Sequence, residues 1–192
     1  MNTNRERLFE ILFARSFIYR EDPPFTLVSG RTSFYYFDCK ATTLDPEGLT
    51  LVGEVMFETM APLIEKEGIT GIGGLTLGAD PISLSTAIAA LRHGVRLCPL
   101  IVRKEPKKHG TQKWIEGDAA GVRRVVAIDD VITTGGSTVT AIERFRESGI
   151  EVAKAAVLID REEGGREGIE QTGVGVAALY RRSDFDRRRL GK

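Results

Sequence analysis

Two adjacent carboxylates, Asp129 and Asp130, stand shortly before a run of hydroxyls and glycines, Thr133-Thr134-Gly135-Gly136-Ser137-Thr138. Carboxylates suit ribose hydroxyls, directly or through a divalent cation, and small residues let backbone N–H groups approach an anion at the start of a helix. The combination reads as a cradle for a sugar phosphate. No Lys follows the glycines, so the loop is not G-x-x-x-x-G-K-[ST], and it is not G-x-G-x-x-G either. Phosphate charge must then be met by amides, hydroxyls and the helix dipole of residues 131–137 (Val131, Ile132, Thr133, Thr134, Gly135, Gly136, Ser137). A second segment, Arg103-Lys104-Glu105-Pro106-Lys107-Lys108-His109-Gly110, gathers four cations and an imidazole in a long polar loop able to close over an anion.

These groups need a frame. Val125-Val126-Ala127-Ile128 is a β-branched apolar run of the kind buried on both faces of a parallel sheet, and ligands of open α/β sheets bind at the carboxyl ends of such strands. Strands are expected at 69–75, 95–102, 152–159 and 174–179, and helices at 81–91 and 137–148. Asp45-Pro46 starts a further helix that runs to Gly68 past Pro62, a point of kinking, and Gly149 ends the cradle helix. An N-terminal helix (Leu8, Ile11, Leu12) precedes a β-rich stretch from Phe25 to Phe37, read as a small lid, whereas residues 164–168 read as loop. The fold class is therefore α/β, a doubly wound, mainly parallel sheet with a small β-rich lid, in a single domain spanning 1–192. The N-terminal helix and lid occupy about residues 1–45.

Composition narrows the function. Lys+Arg and Asp+Glu each total 27, so no global field favours nucleic acid or an anionic membrane. Cys39 and Cys98 have neither a disulfide framework nor zinc spacing and read as plain buried thiols. With no signal-peptide pattern and no membrane-length apolar run, a cytoplasmic location is expected. His93 reads as a helix-end residue, and Trp114 as either a lid anchor or a packing residue.

The Asp129–Ser137 run resembles the phosphoribosyl-diphosphate (PRPP) signature of type I phosphoribosyltransferases, and Arg-Lys-Glu-x-Lys-x-His-Gly resembles the mobile catalytic loop of the orotate phosphoribosyltransferases. Phe25-Thr26-Leu27-x-Ser29-Gly30-Arg31-x-Ser33-x-Tyr35-Tyr36-Phe37 is similar to that family's lid, and Gly73-Gly74-Leu75-Thr76-Leu77-Gly78-Ala79-Asp80-Pro81 to its pyrophosphate-side loop. The resemblance implies transfer of phosphoribosyl from PRPP to orotate with Mg²⁺, held mainly by PRPP and by Asp129 or Asp130 rather than by a dedicated protein site. Arg103, Lys104, Lys107 and His109 would contact the pyrophosphate, and Lys107, His109, Asp129 and Asp130 would be catalytic. Tyr36 and Phe37 would present backbone groups to orotate, Thr133 would hydrogen-bond it, and Arg161 would pair with its carboxylate, where a planar guanidinium matches a planar anion. A homodimer is implied, with loop 103–117 shared across the interface. Two positions depart from well-known members, which carry lysines where this chain has Val28 and Leu77.

Two other functions compete with this reading. A purine-base phosphoribosyltransferase would use the same cradle, but the loop and Arg161 match the orotate enzymes. A PRPP-sensing regulator that binds nucleic acid would need a basic reading surface or an added helix-turn-helix, and the charge is balanced with only about one helix ahead of the lid.

Overall fold

The structure, a computed structural model, describes residues 3–26, 32–106 and 113–191. In chain order the elements are α1 (Asn4–Arg15), β1 (Phe17–Tyr19), β2 (Phe25–Thr26), β3 (Thr32–Ser33), β4 (Tyr35–Phe37), α2 (Lys40–Thr43), α3 (Pro46–Glu67), β5 (Gly71–Leu75) and α4 (Ala79–Arg92). There follow β6 (Cys98–Val102), β7 (Ile115–Glu116), β8 (Arg124–Ile132), α5 (Gly136–Glu147), β9 (Glu151–Asp160), α6 (Gly165–Glu170), β10 (Val176–Arg181) and α7 (Arg182–Arg189).

Six strands form the main sheet in the order β10-β9-β8-β5-β6-β7, parallel except for the antiparallel edge strand β7. Residues of β8 alternate between two cores, as a strand period of two requires. Val126 and Ile128 pack with Val52, Met56, Ile72 and Ile82 on one face, whereas Val125 and Ala127 pack with Ala141, Ile142 and Phe145 on the other. Helices thus cover both faces, as the doubly wound expectation requires.

Capping chemistry fixes the helices. Asp45 caps α3, its Oδ1 accepting from the backbone N–H groups of Glu47 and Gly48, and Gly68 ends that helix at φ 62°. The helix passes through Pro62 as one element of 22 residues. The lid is two short antiparallel ladders, β1 with β4 and β2 with β3, separate from the main sheet.

Three local readings change. Residues 165–170 form a short helix rather than loop, and α7 has no counterpart in the expectation, its mean hydropathy being too low for an apolar stripe. The one residue of α7 that is buried, Phe185, packs on Phe9, Phe17 and Phe37, so a single aromatic anchors it. Cys98 is half-buried while Cys39 is fully buried. Among the described residues, no helix is long and apolar enough to cross a membrane.

Candidate active site

The sheet order reverses between β8 and β5, where open α/β sheets form their ligand crevice. Strand β5 pairs with β8 only as far as Gly73 with Ala127, whereas β9 accompanies β8 to Ile132. Asp129 and Asp130 lie in that one-sided extension, so the acids sit inside the strand, at the point where its neighbour has dropped away.

The two carboxylates are not equivalent. Asp129 is buried, its Oδ2 accepting from Thr138 Oγ at 2.7 Å and its Oδ1 from the Asp130 N–H at 3.0 Å. Burial, then the charge of Asp130, pushes its carboxyl up to about 7. Asp130 is half-buried and its Oδ1 accepts from the Val131 N–H at 2.9 Å. Its carboxylate leans over the loop after β5, where a Cβ at Gly78 would come within 2.6 Å of Asp130 Oδ1. Glycine is what lets that loop approach the acid. Asp129 therefore ties β8 to α5, and Asp130 faces the crevice.

Beyond the acids the chain turns sharply at Gly135, φ 81°, the N-cap of α5. That turn is pressed against the start of α6, since a Cβ at Gly135 would meet Gly165 O at 2.6 Å. Thr134, Gly136 and Ser137 are exposed, no side chain caps the helix, and its first turn holds no acid. Uncapped N–H groups at the positive end of a helix dipole make a phosphate seat.

Arg161 follows β9 and is buried. Its Nη2 donates to Ser33 Oγ at 3.1 Å and to Tyr35 O at 3.4 Å, both in the lid, and pairs with Glu163 Oε1 at 2.8 Å. Its Nε is buried without a hydrogen-bond partner. Of the lid aromatics, the Tyr36 ring is exposed and stacks on Phe25, while the Phe37 ring is buried against Phe17 and Phe185. Both rings are therefore engaged within the lid and core, and the β1–β4 ladder pairs Tyr36 with Ile18 and Phe37 with Phe17.

At the end of β6, Arg103 and Lys104 line a cleft of about 470 Å³ with Thr76, Asp80, Glu105 and Glu116. Arg103 is folded onto its own stem, pairing with Glu116 at 3.1 Å and donating its N–H to Trp114 O at 2.8 Å. Trp114 in turn stacks under the Arg144 guanidinium, 3.6 Å from its ring centroid, so it anchors the stem to α5. Lys107 and His109 lie outside the described residues, as does Val28; Leu77 is exposed in the loop after β5. His93 caps α4 and pairs with Glu54, as a helix-end residue should.

The structure gathers Asp129, Asp130, residues 131–137 and the pair Arg161–Ser33 at the carboxyl ends of β8 and β9, with Arg103 and Lys104 at the end of β6. Sequence reasoning read Thr138 and Gly78 only as members of their loops and gave neither a role of its own, and it did not single out Glu163. Thr138 carried a signal, being the hydroxyl nine residues after Asp129 and one turn into the cradle helix.

Comparison with known proteins agrees with this geometry. Residues 95–171 match the model of the phosphoribosyl transferase domain. The orotate phosphoribosyltransferase of Leptospira biflexa is 40% identical over 96% of this chain and 98% of its own. The orotate phosphoribosyltransferase of Mycobacterium tuberculosis solved in complex with Fe(III) dicitrate superposes with a TM-score of 0.79 at 33% identity, covering 95% of this chain and 99% of that one. The same enzyme solved in complex with PRPP gives 0.72 at 28% identity, covering 95% and 91%. From the acids of β8 to the buried arginine after β9, and along nearly its whole length, the chain belongs to the orotate phosphoribosyltransferase family of type I phosphoribosyltransferases.

Proposed function

We propose that the chain transfers the 5-phosphoribosyl group from PRPP to orotate, giving orotidine 5′-monophosphate and pyrophosphate in cytoplasmic pyrimidine biosynthesis. The observation that carries this reading is the placement, on neighbouring strands, of an uncapped phosphate seat and a buried guanidinium turned toward the lid. A purine base has no carboxylate for that guanidinium.

The reaction is a displacement at the anomeric carbon, so the ribose becomes cationic while charge builds on the departing pyrophosphate. The 5′-phosphate takes the N–H groups of 134–137, and Asp130 holds the ribose hydroxyls and favours the positive charge beside it. Asp129, braced by Thr138, fixes the strand that presents Asp130. Arg103 and Lys104, with Lys107 and His109 of the loop, stabilise the leaving group, and a closed loop keeps water from PRPP. Thr133 and the backbone of Tyr36 and Phe37 position orotate, and Arg161 takes its carboxylate. No protein nucleophile is required.

The residues fit Mg²⁺ as a substrate-borne ion. Among the described residues no group of three or more His, Cys, Asp or Glu is placed to hold a metal, and Mg²⁺ is commonly held by one or two carboxylates with substrate oxygens completing its shell. Asp130, with Asp129 behind it, is the carboxylate to meet it, and the ion would offset pyrophosphate charge.

The expected assembly is a homodimer in which loop 103–117 completes the partner's site. Mixing inactive Lys107→Ala and Asp130→Asn chains should restore about a quarter of the activity, because half the dimers are mixed and each has one intact site. The direct test of the function is incubation with PRPP, Mg²⁺ and each free base in turn. Pyrophosphate should appear with orotate, whereas release with adenine or hypoxanthine instead would overturn the reading.

A further inference from the structure

The main chain of Arg161 is gripped from two sides. Its N–H donates to Ile132 O, at the end of the cradle strand β8, at 3.1 Å, and its carbonyl accepts from Arg182 Nε, at the start of α7, at 3.3 Å. The same helix holds the next residue of the turn, since the Glu162 carboxylate accepts from Ser183 N–H and Oγ at 2.9 and 3.1 Å and lies 3.7 Å from Arg182 Nη2. Glu162 needs that hold, because it sits at φ 58°, a left-handed conformation uncommon for a non-glycine residue.

Arg182 also reaches the lid. Its guanidinium carbon lies over the Tyr35 ring, 5.2 Å from the centroid, and the carbonyl of that same tyrosine accepts from Arg161 Nη2 at 3.4 Å. The three residues close a circuit: the Arg161 carbonyl to Arg182, Arg182 across to the Tyr35 ring, and the Tyr35 carbonyl back to the Arg161 guanidinium. Arg182 Nη1 pairs with Asp186, one turn along α7, so each of its three nitrogens faces a partner while its plane meets a ring. Only a guanidinium can serve so many directions at once. The helix that presents it is seated on the lid by Phe185, packed on Phe17 of β1 and Phe37 of β4.

We propose that Arg182 is a positioning residue for the base: it holds the Arg161 guanidinium in register with lid strand β4, so that the carboxylate and the ring of the base are met together. It acts through Arg161 and touches neither substrate. Two-point pairing with a carboxylate tolerates little rotation of the fork, so a loosened Arg161 loses the base while the phosphate cradle stays as it was. The role rests on the assignment of Arg161 to the orotate carboxylate.

Arg182→Met keeps an unbranched stem and removes the guanidinium. The kcat/KM for orotate should fall about tenfold, carried by the orotate KM, while the KM for PRPP stays within about twofold of wild type. Added to Arg161→Ala, the same substitution should cost less than about twofold more, because its effect passes through a side chain already gone. Losses that multiply in the double variant, a PRPP KM that rises in step with that of orotate, or an unchanged orotate KM overturn the proposal. Arg182→Lys covers the case in which Arg182→Met does not fold. An ammonium keeps the charge but cannot span the Arg161 carbonyl, Glu162 and Asp186 together, so the orotate KM should still rise about threefold. An orotate KM at the wild-type value in folded Arg182→Lys likewise overturns the proposal. Wild-type chain that is inert with orotate yet active with another base would overturn the proposed function itself, whereas orotate activity with no effect of Arg182→Met would overturn only the positioning role.

Discussion

The phosphate cradle and the corner around Arg161 end neighbouring strands of one sheet, yet they are held by different means. The cradle is backbone work: a strand buried on both faces, a glycine at φ 81°, and the open first turn of α5. The Arg161 corner is side-chain work, joining Arg161 to Ser33, 128 positions away, through a single hydrogen bond and to Glu163 through an ion pair. Backbone recognition depends on the fold and tolerates most side chains, whereas recognition by one guanidinium stands or falls with one residue. The first suits a phosphate shared by every reaction of this class; the second suits the choice of base.

The acids of β8 sharpen this contrast because they divide between the two styles. Asp130 faces the crevice, so Asp130→Asn should lower kcat by about a hundredfold, the scale of losing one preorganised electrostatic group, with little change in the thermal melt. A melt that collapses together with activity would place Asp130 in the framework instead.

Asp129 should behave in the opposite way. Its carboxyl is pushed up from the ordinary 3.8 to about 7 by burial and by Asp130, so the folded chain binds a proton that the unfolded chain has released. Stability from this group is therefore lost as pH rises through that window. Asn at this position stays neutral throughout. Relative to Asp129→Asn, the wild type should gain about 3–5 °C in Tm between pH 8 and pH 6, on the usual size scaling of Tm with stability. A constant gap would mean that Asp129 is ionised across the range.

A smaller effect belongs to the stem of the loop. Replacing Arg144 by Met removes the cation stacked on Trp114, a contact worth about 0.5–2 kcal/mol. The KM for PRPP should rise a few-fold while kcat holds, and because Trp114 is the one tryptophan of the chain its emission should shift in the same variant. Unchanged emission would mean that the stack does not persist in solution.

Much of the frame was legible in the sequence because it is written in local patterns. The apolar run 125–128, the Asp45-Pro46 start and the Gly68 and Gly149 stops each act within a few residues, and the structure bears them out. The helix α7 was not legible, since it is held by Phe185 against a cluster assembled from α1, β1 and β4. The same applies to the site. The cradle could be read from adjacency, but the inequality of Asp129 and Asp130 depends on where β5 stops pairing, and the lid partners of Arg161, Ser33 and Tyr35, come from the far end of the chain.

The division of labour itself is tested most directly by Arg161→Ala. Loss of a charge-assisted pair in a closed site costs about 2–4 kcal/mol, so kcat/KM for orotate should fall roughly thirtyfold to a thousandfold. The KM for PRPP should stay within about twofold of wild type, because the cradle is built from β8 and α5 and takes nothing from the Arg161 side chain. An unchanged kcat/KM for orotate, or an equal loss for both substrates, would contradict the account.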